Sequence, residues 1–193
     1  MKKKTTYTLV GIGIAGVAIA YDMWRKSNQL PLPLAENLDL DKYMGKWYEI
    51  ARLPAPFERH CFNTQAEYSR NEDGTVNVVN SCTRGSLEGK ASVSQGIAFL
   101  DNPSNHAMLK VQFQWPFTGD YQVIDVGKNY EYALVGTPSR KYLWILSRTQ
   151  ELENNILEHL ISFANELGFN TDKLIFTEHK AHKVPQLAVN AEE

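Results

Sequence analysis

The 193 residues carry 20 Lys and Arg against 22 Asp and Glu, a formal net charge of −2. That balance excludes a globally basic nucleic-acid binder, and the length suits one domain with a full core. Nine Tyr, eight Phe and four Trp supply the ring-bearing side chains favoured in strands around a wide apolar interior.

The chain begins with the basic stretch Met1-Lys2-Lys3-Lys4, and residues 8–20 are apolar and rich in small side chains. This run is shorter than the roughly 20 residues that span a bilayer, which favours an export signal. Ala18-Ile19-Ala20 offers a cleavage site for it. An uncleaved anchor is the competing reading, with Tyr7 and Trp24 as interfacial aromatics and the lysines on the inner side. Both readings make residues 1–26 a signal or membrane-anchor segment and place the rest of the chain outside the cytoplasm. No cysteine precedes Cys61, so a lipid-modified cysteine anchor is not expected. Residues 27–37, with Pro31 and Pro33, read as an extended linker. Residues 39–43 read as a helical turn that closes one end of the main domain.

From Gly45 the pattern has period two. The expected strands are 46–52, 62–68, 76–81, 89–100, 108–115, 121–126, 132–136 and 142–148, separated by turn residues. In the second strand Phe62, Thr64, Ala66 and Tyr68 alternate with Asn63, Gln65 and Glu67. Asn71-Glu72-Asp73-Gly74 is a hairpin turn with Gly74 in the left-handed position. Eight short strands with regular turns are the signal of an antiparallel up-and-down β-barrel. After them Leu152, Ile156, Leu160, Phe163 and Leu167 recur at helical steps. Thr149 is the expected cap of this amphipathic helix and Gly168 its end. Residues 173–178 read as a last strand beside the barrel, and 179–193 as a polar tail.

Three segments carry a family resemblance. Gly45-Lys46-Trp47 opens the first strand; Asn129-Tyr130-Glu131 precedes the seventh; Arg148 follows Trp144-Ile145-Leu146-Ser147 at the end of the eighth. In this order and spacing they resemble the lipocalin motifs, with Asn129 where the second motif carries Asp. The match covers about residues 38–178 and is similar to bacterial outer-membrane, plant temperature-induced and apolipoprotein D lipocalins. It implies an all-β, eight-stranded lipocalin barrel with the helix packed outside. Gly45, Trp47 and Arg148 become structural floor residues, an indole covered by a guanidinium.

Alternation taken with this resemblance places Ala66, Val76, Val78, Leu109, Val111, Phe113, Val135, Tyr142 and Trp144 on the inward face. Such a lining matches an elongated apolar ligand with a polar end. The resemblance implies non-catalytic binding, storage or transport of a fatty acid or lysophospholipid in the bacterial cell envelope, with no cofactor. Besides the lipid, the expected partner is a membrane, through the N-terminal segment if that stays uncleaved; nucleic acid is not expected. The chain would reside in the periplasm or on a membrane facing it. A barrel filled by its own side chains is the structural alternative.

Cys61 and Cys82 flank the first hairpin and lie about two residues out of register, an offset that a bulge could absorb. Outside the cytoplasm a disulfide is the favoured reading. The catalytic alternative is a lipocalin-like isomerase, or another enzyme acting on a lipophilic substrate, with a reactive thiol at Cys61. It needs a free sulfur and a nearby base, and His60 would point away from it along a strand. No histidine pair has zinc spacing with further ligands; His179-x-x-His182 comes nearest and reads as incidental. Lys46, Arg52 and Arg59 are expected on the solvated surface. Trp115-Pro116-Phe117 is an aromatic turn that either packs or meets a membrane or partner.

Overall fold

In the computed structural model, residues 30–180 are described; the signal or anchor reading of 1–26, the first three residues of the linker and most of the tail lie outside them. The element order is α1 (Leu40–Tyr43), β1 (Gly45–Arg52), a short 3-10 turn (Pro56–Glu58), β2 (Cys61–Arg70), β3 (Val76–Arg84), β4 (Lys90–Leu100), β5 (Met108–Gln114), β6 (Phe117–Val126), β7 (Tyr132–Gly136), β8 (Leu143–Ser147), α2 (Asn154–Glu166), a second 3-10 turn (Thr171–Lys173) and β9 (Ile175–Phe176). Each of β2 to β8 pairs with its sequence neighbour, all antiparallel. Closure falls to β1. Its first half, Gly45 to Tyr48, pairs with β2, and its second half, Tyr48 to Arg52, pairs with β8. A register shift between Glu49 and Ala51 accompanies the change of partner, as expected where a barrel strand must bend. The eight-stranded barrel has no free edge through this seam, and β9 adds only two residues beside Ala51 and Arg52.

Two apolar clusters hold the molecule. One lies inside the barrel at its closed end and centres on Trp47, with Tyr43, Tyr68, Val76, Leu109, Val123 and Val135. The other lies outside, where Leu157, Leu160 and Ala164 of α2 are buried against Ile50, Leu134, Leu143 and Ile145. Burying side chains of this size is worth about 1.5–3 kcal/mol each, which explains why a single 13-residue helix docks stably on the wall.

The helix differs in detail from expectation. It begins at Asn154, with Glu153 rather than Thr149 in the cap position and no side-chain cap. The Thr149 hydroxyl donates to the carbonyl of Glu151 instead, so the intervening residues form a connector. At the other end the Phe169 amide donates to Ala164 and the Gly168 amide to Asn165, a Schellman closure that fits the expected stop. The last strand is two residues, not six: Ile175 and Phe176 form the ladder pairs with Arg52 and Ala51 of β1. His179, read as the start of the tail, is buried, with Nε2 bonded to the Glu49 carbonyl at 2.8 Å and the ring edge-on to Tyr48.

Candidate ligand cavity

The closed end is built around the residues of the three motifs. The indole of Trp47 is fully buried and donates to the Tyr43 carbonyl at 2.8 Å. The Arg148 guanidinium lies 3.8 Å from its ring centre, within the range of a cation–π contact worth about 0.5–2 kcal/mol. The same guanidinium donates to the carbonyls of Lys42, Lys46 and Tyr130. It therefore ties α1, β1 and the β6–β7 loop to one point. Gly45 sits at φ +91°, and a Cβ there would stand 3.5 Å from the guanidinium. That left-handed geometry strains any other residue. The Tyr130 hydroxyl accepts from the Asp39 amide at 2.8 Å, so the second motif joins the floor despite Asn129.

Above this floor lies a cavity of about 580 Å³ that opens at the other end of the barrel. Ala66, Val78, Val111, Phe113, Tyr142 and Trp144 of the expected lining face it. Val76, Leu109 and Val135 do not; they are packed beneath it in the closed-end cluster with Trp47. Alternation assigns a face but not a depth, and the taper toward the floor fills those three positions. Phe62 also leaves the inward row. The β2–β3 ladder shifts between Phe62 and Gln65, with Asn63 at φ 50°. That bulge turns Phe62 to an outer groove beneath the β1–β2 loop.

The bulge takes up only part of the offset of the cysteines. It absorbs one residue, leaving Cys61 opposite Arg84. Cys61 reaches Cys82 along the diagonal with Cα atoms 5.5 Å apart, and the two form a disulfide. Neither of the chain's two cysteines is free, so the thiol required by the enzymatic alternative is engaged. Among the described residues no group of His, Cys, Asp and Glu has metal-binding geometry.

Three polar features of the cavity are not evident from the sequence. At its base the hydroxyls of Tyr68 and Tyr121 meet at 3.0 Å, and that of Tyr121 meets Tyr43 at 2.8 Å. Burial pushes Tyr68 up to about 12 and the other two well above the usual tyrosine range. All three stay neutral at physiological pH, and three hydroxyl protons serve two mutual bonds, leaving one to donate. On the wall, Thr64 Oγ1 and Asn80 Oδ1 are buried without a protein hydrogen-bond partner, and both residues line the cavity. Buried polar atoms normally find partners; these two have none within the protein and lie just behind the cavity surface.

The third feature lies near the mouth. Arg52, expected on the surface, is buried with Nε 3.2 Å from Glu49 and 3.3 Å from Glu58. Its Nη2 donates to the Glu58 carbonyl at 2.7 Å. Thr177 donates to the Glu49 carboxylate, and the Trp144 indole donates to Glu58 at 3.3 Å. Burial, and then the charge of Glu58, push Glu49 up to about 8, against the pull of Thr177 and Arg52. Burial also raises Glu58, while Arg52 and Trp144 lower it. The signal available in sequence was the parity of Glu49: two positions after Trp47, it shares the indole's face of β1 until the strand bends.

A model of the lipocalin-like domain matches residues 38–179. The chain is a lipocalin. It is 41% identical to the outer membrane lipoprotein Blc of Vibrio cholerae, over 75% of this chain and 84% of that protein. To temperature-induced lipocalin-1 of Arabidopsis thaliana it is 38% identical, over 80% and 83%. Bovine apolipoprotein D is 33% identical over 76% and 79%. Among solved structures, insecticyanin of the tobacco hornworm Manduca sexta superposes with a TM-score of 0.61 at 22% identity, covering 77% of this chain and 84% of its own.

Proposed function

We propose that this lipocalin binds a single-chain lipid, a fatty acid or lysophospholipid, and carries or stores it in the bacterial cell envelope. The observation that carries this is the cavity itself. At about 580 Å³ it falls in the size range of small-molecule sites, roughly 300–1,000 Å³. Its lining joins Ala66, Val78, Val111 and Phe113 to the rings of Tyr142 and Trp144. Each methylene moved from water into that lining contributes about 0.8 kcal/mol, enough for an acyl chain to offset the cost of association. The Tyr68–Tyr121 hydroxyls at the base suit a ligand that also carries oxygen atoms.

The Cys61–Cys82 disulfide supports an oxidising compartment, and the Blc relatives are named outer membrane lipoproteins. Together with the apolar run at residues 8–20, they support export to the envelope. Binding without catalysis is the accompanying reading, because the cavity presents polar groups for recognition and its cysteine is oxidised.

Native mass spectrometry after mild extraction, together with titration of a fluorescent fatty acid, tests the proposal. Bound lipid and uptake by the wild type are expected, with affinity at least tenfold weaker in Val111→Trp, whose indole would occupy the lumen. Absence of lipid and uptake in a folded wild type would leave a carrier-shaped barrel with no cargo and overturn the reading.

A further inference from the structure

We propose that the open end of the barrel docks directly on an anionic lipid bilayer, with Trp115 and Phe117 placed among the lipids and cationic loop residues against the headgroup phosphates. Four loops surround the mouth, contributing Phe57 and Glu58, Arg84, Phe117 and Thr118, and Thr137 and Ser139 to the cavity lining. Large rings crowd the outer side of this rim. Trp115 is 81% exposed, Phe117 72% and Phe57 56%. Phe57 and Phe117 belong both to the cavity and to the surface, so the exposed apolar rim is continuous with the interior. Next to the β5–β6 turn, the β4–β5 ladder runs only from Ile97 to Leu100. Residues 90–96 of β4 are not paired to β5, and Val93 there is 60% exposed.

Charge selects the occupant. Arg59, Arg84, Lys90 and Lys141 are exposed in the mouth loops, where Glu88 is the exposed acid. The opposite end has the reverse balance: its loops and α1 carry Asp39, Asp41, Glu72, Asp73, Asp101 and Glu131 against Lys42, Lys128 and Arg148. Arg84 is held in place at the rim by its bonds to the carbonyls of Arg59 and Phe57. Amphipathic rings beside exposed cations are what a headgroup region with negative charge accommodates. A protein partner would be expected to meet a recessed core with a polar rim; here the rings are outermost. Docking in this orientation lets an acyl chain pass between bilayer and lumen without crossing water. The transfer role rests on the proposed lipid cargo, whereas docking itself does not.

The test uses the full chain, with Trp24→Phe as the wild-type background so that the N-terminal segment carries no indole, and vesicles of phosphatidylcholine with or without phosphatidylglycerol, whose acyl chains are brominated to quench indoles on contact. Wild-type fluorescence should be quenched on the mixed vesicles, and about 0.5 M salt should weaken it by screening. The quenched component should be absent in Trp115→Phe, which assigns it to the rim, and Lys90→Glu with Lys141→Glu should reduce the quenching of Trp115 at least tenfold. Neither Trp115 nor the two lysines line the cavity, so uptake of fluorescent fatty acid from solution serves as the internal control. Equal quenching in wild type and Trp115→Phe, indifference to phosphatidylglycerol, or a purified protein partner that protects Trp115 while vesicles do not, would overturn docking. Intact uptake with no quenching would discard docking and keep the cargo; loss of both would discard both.

Discussion

At the closed end every large ring is covered: Trp47 lies under Arg148, and Tyr43, Tyr68 and Tyr121 satisfy one another. At the open end Trp115 and Phe117 face water, while the ionisable Arg52 and Glu49 are buried and Glu58 nearly so. The usual places of ring and charge are exchanged between the two ends. Burial of the rings in the floor contributes to stability, and each carbonyl bonded to Arg148 joins another segment to it. In the mouth, exposed apolar area and buried ionisable groups both cost stability, which a fold tolerates where something else is to be contacted. One end therefore holds the barrel shut and the other is left to receive.

The sharpest break of this contrast is Trp47→Ala. A fully buried indole replaced by a methyl group should cost about 3–5 kcal/mol, read from the midpoint of chemical denaturation. Fatty-acid affinity of the fraction that remains folded should change only a few-fold. A large loss of affinity with little loss of stability would reverse the assignment of floor and site.

Next in size is the disulfide. It closes a 21-residue separation beside the mouth, and Cys61→Ser with Cys82→Ser should cost about 3 kcal/mol through the freed unfolded chain. Denaturation of the double variant beside the wild type measures it, and an unchanged midpoint would show that the hairpin is held by its ladder alone.

The last test concerns pH. Glu49 is raised from 4.5 to about 8 by burial, so the folded state keeps a proton that the unfolded chain releases between those values. Stability should therefore decline as pH rises from about 4.5 to about 8 and level off above that, with the raised Glu58 acting in the same direction. Thermal melts should fall steadily across that range, and Glu49→Gln should flatten the slope. Parallel slopes in the two proteins would place the proton elsewhere.

The barrel, its helix and the Trp47–Arg148 floor were legible because each rests on a pattern carried along the chain: period two, helical period, and motifs in fixed order. Six of the nine residues expected in the lining face the cavity for the same reason. Val76, Leu109 and Val135 share their inward parity and still lie beneath it, since depth along the barrel axis depends on tilt and taper. Phe62 left the inward row through a bulge whose position no alternation rule supplies. Arg52 was expected in water because a charged residue near a strand end is ordinarily solvated. Its burial between two carboxylates arises only once β1, the β1–β2 loop and the segment at Thr177 come together.

The amino-acid order by itself determined a closed β-barrel with an indole in its floor, an outer helix and an apolar inward row. These are local periodicities, and each residue contributes to them through its neighbours in the chain. Only the tertiary structure decided that the barrel is filled below and open above, that three tyrosine hydroxyls meet at the base, and that the mouth hides its carboxylates and exposes its rings. Those features join groups as far apart as Glu49 and Thr177, and such meetings depend on how the strands tilt and bend, which periodicity does not encode.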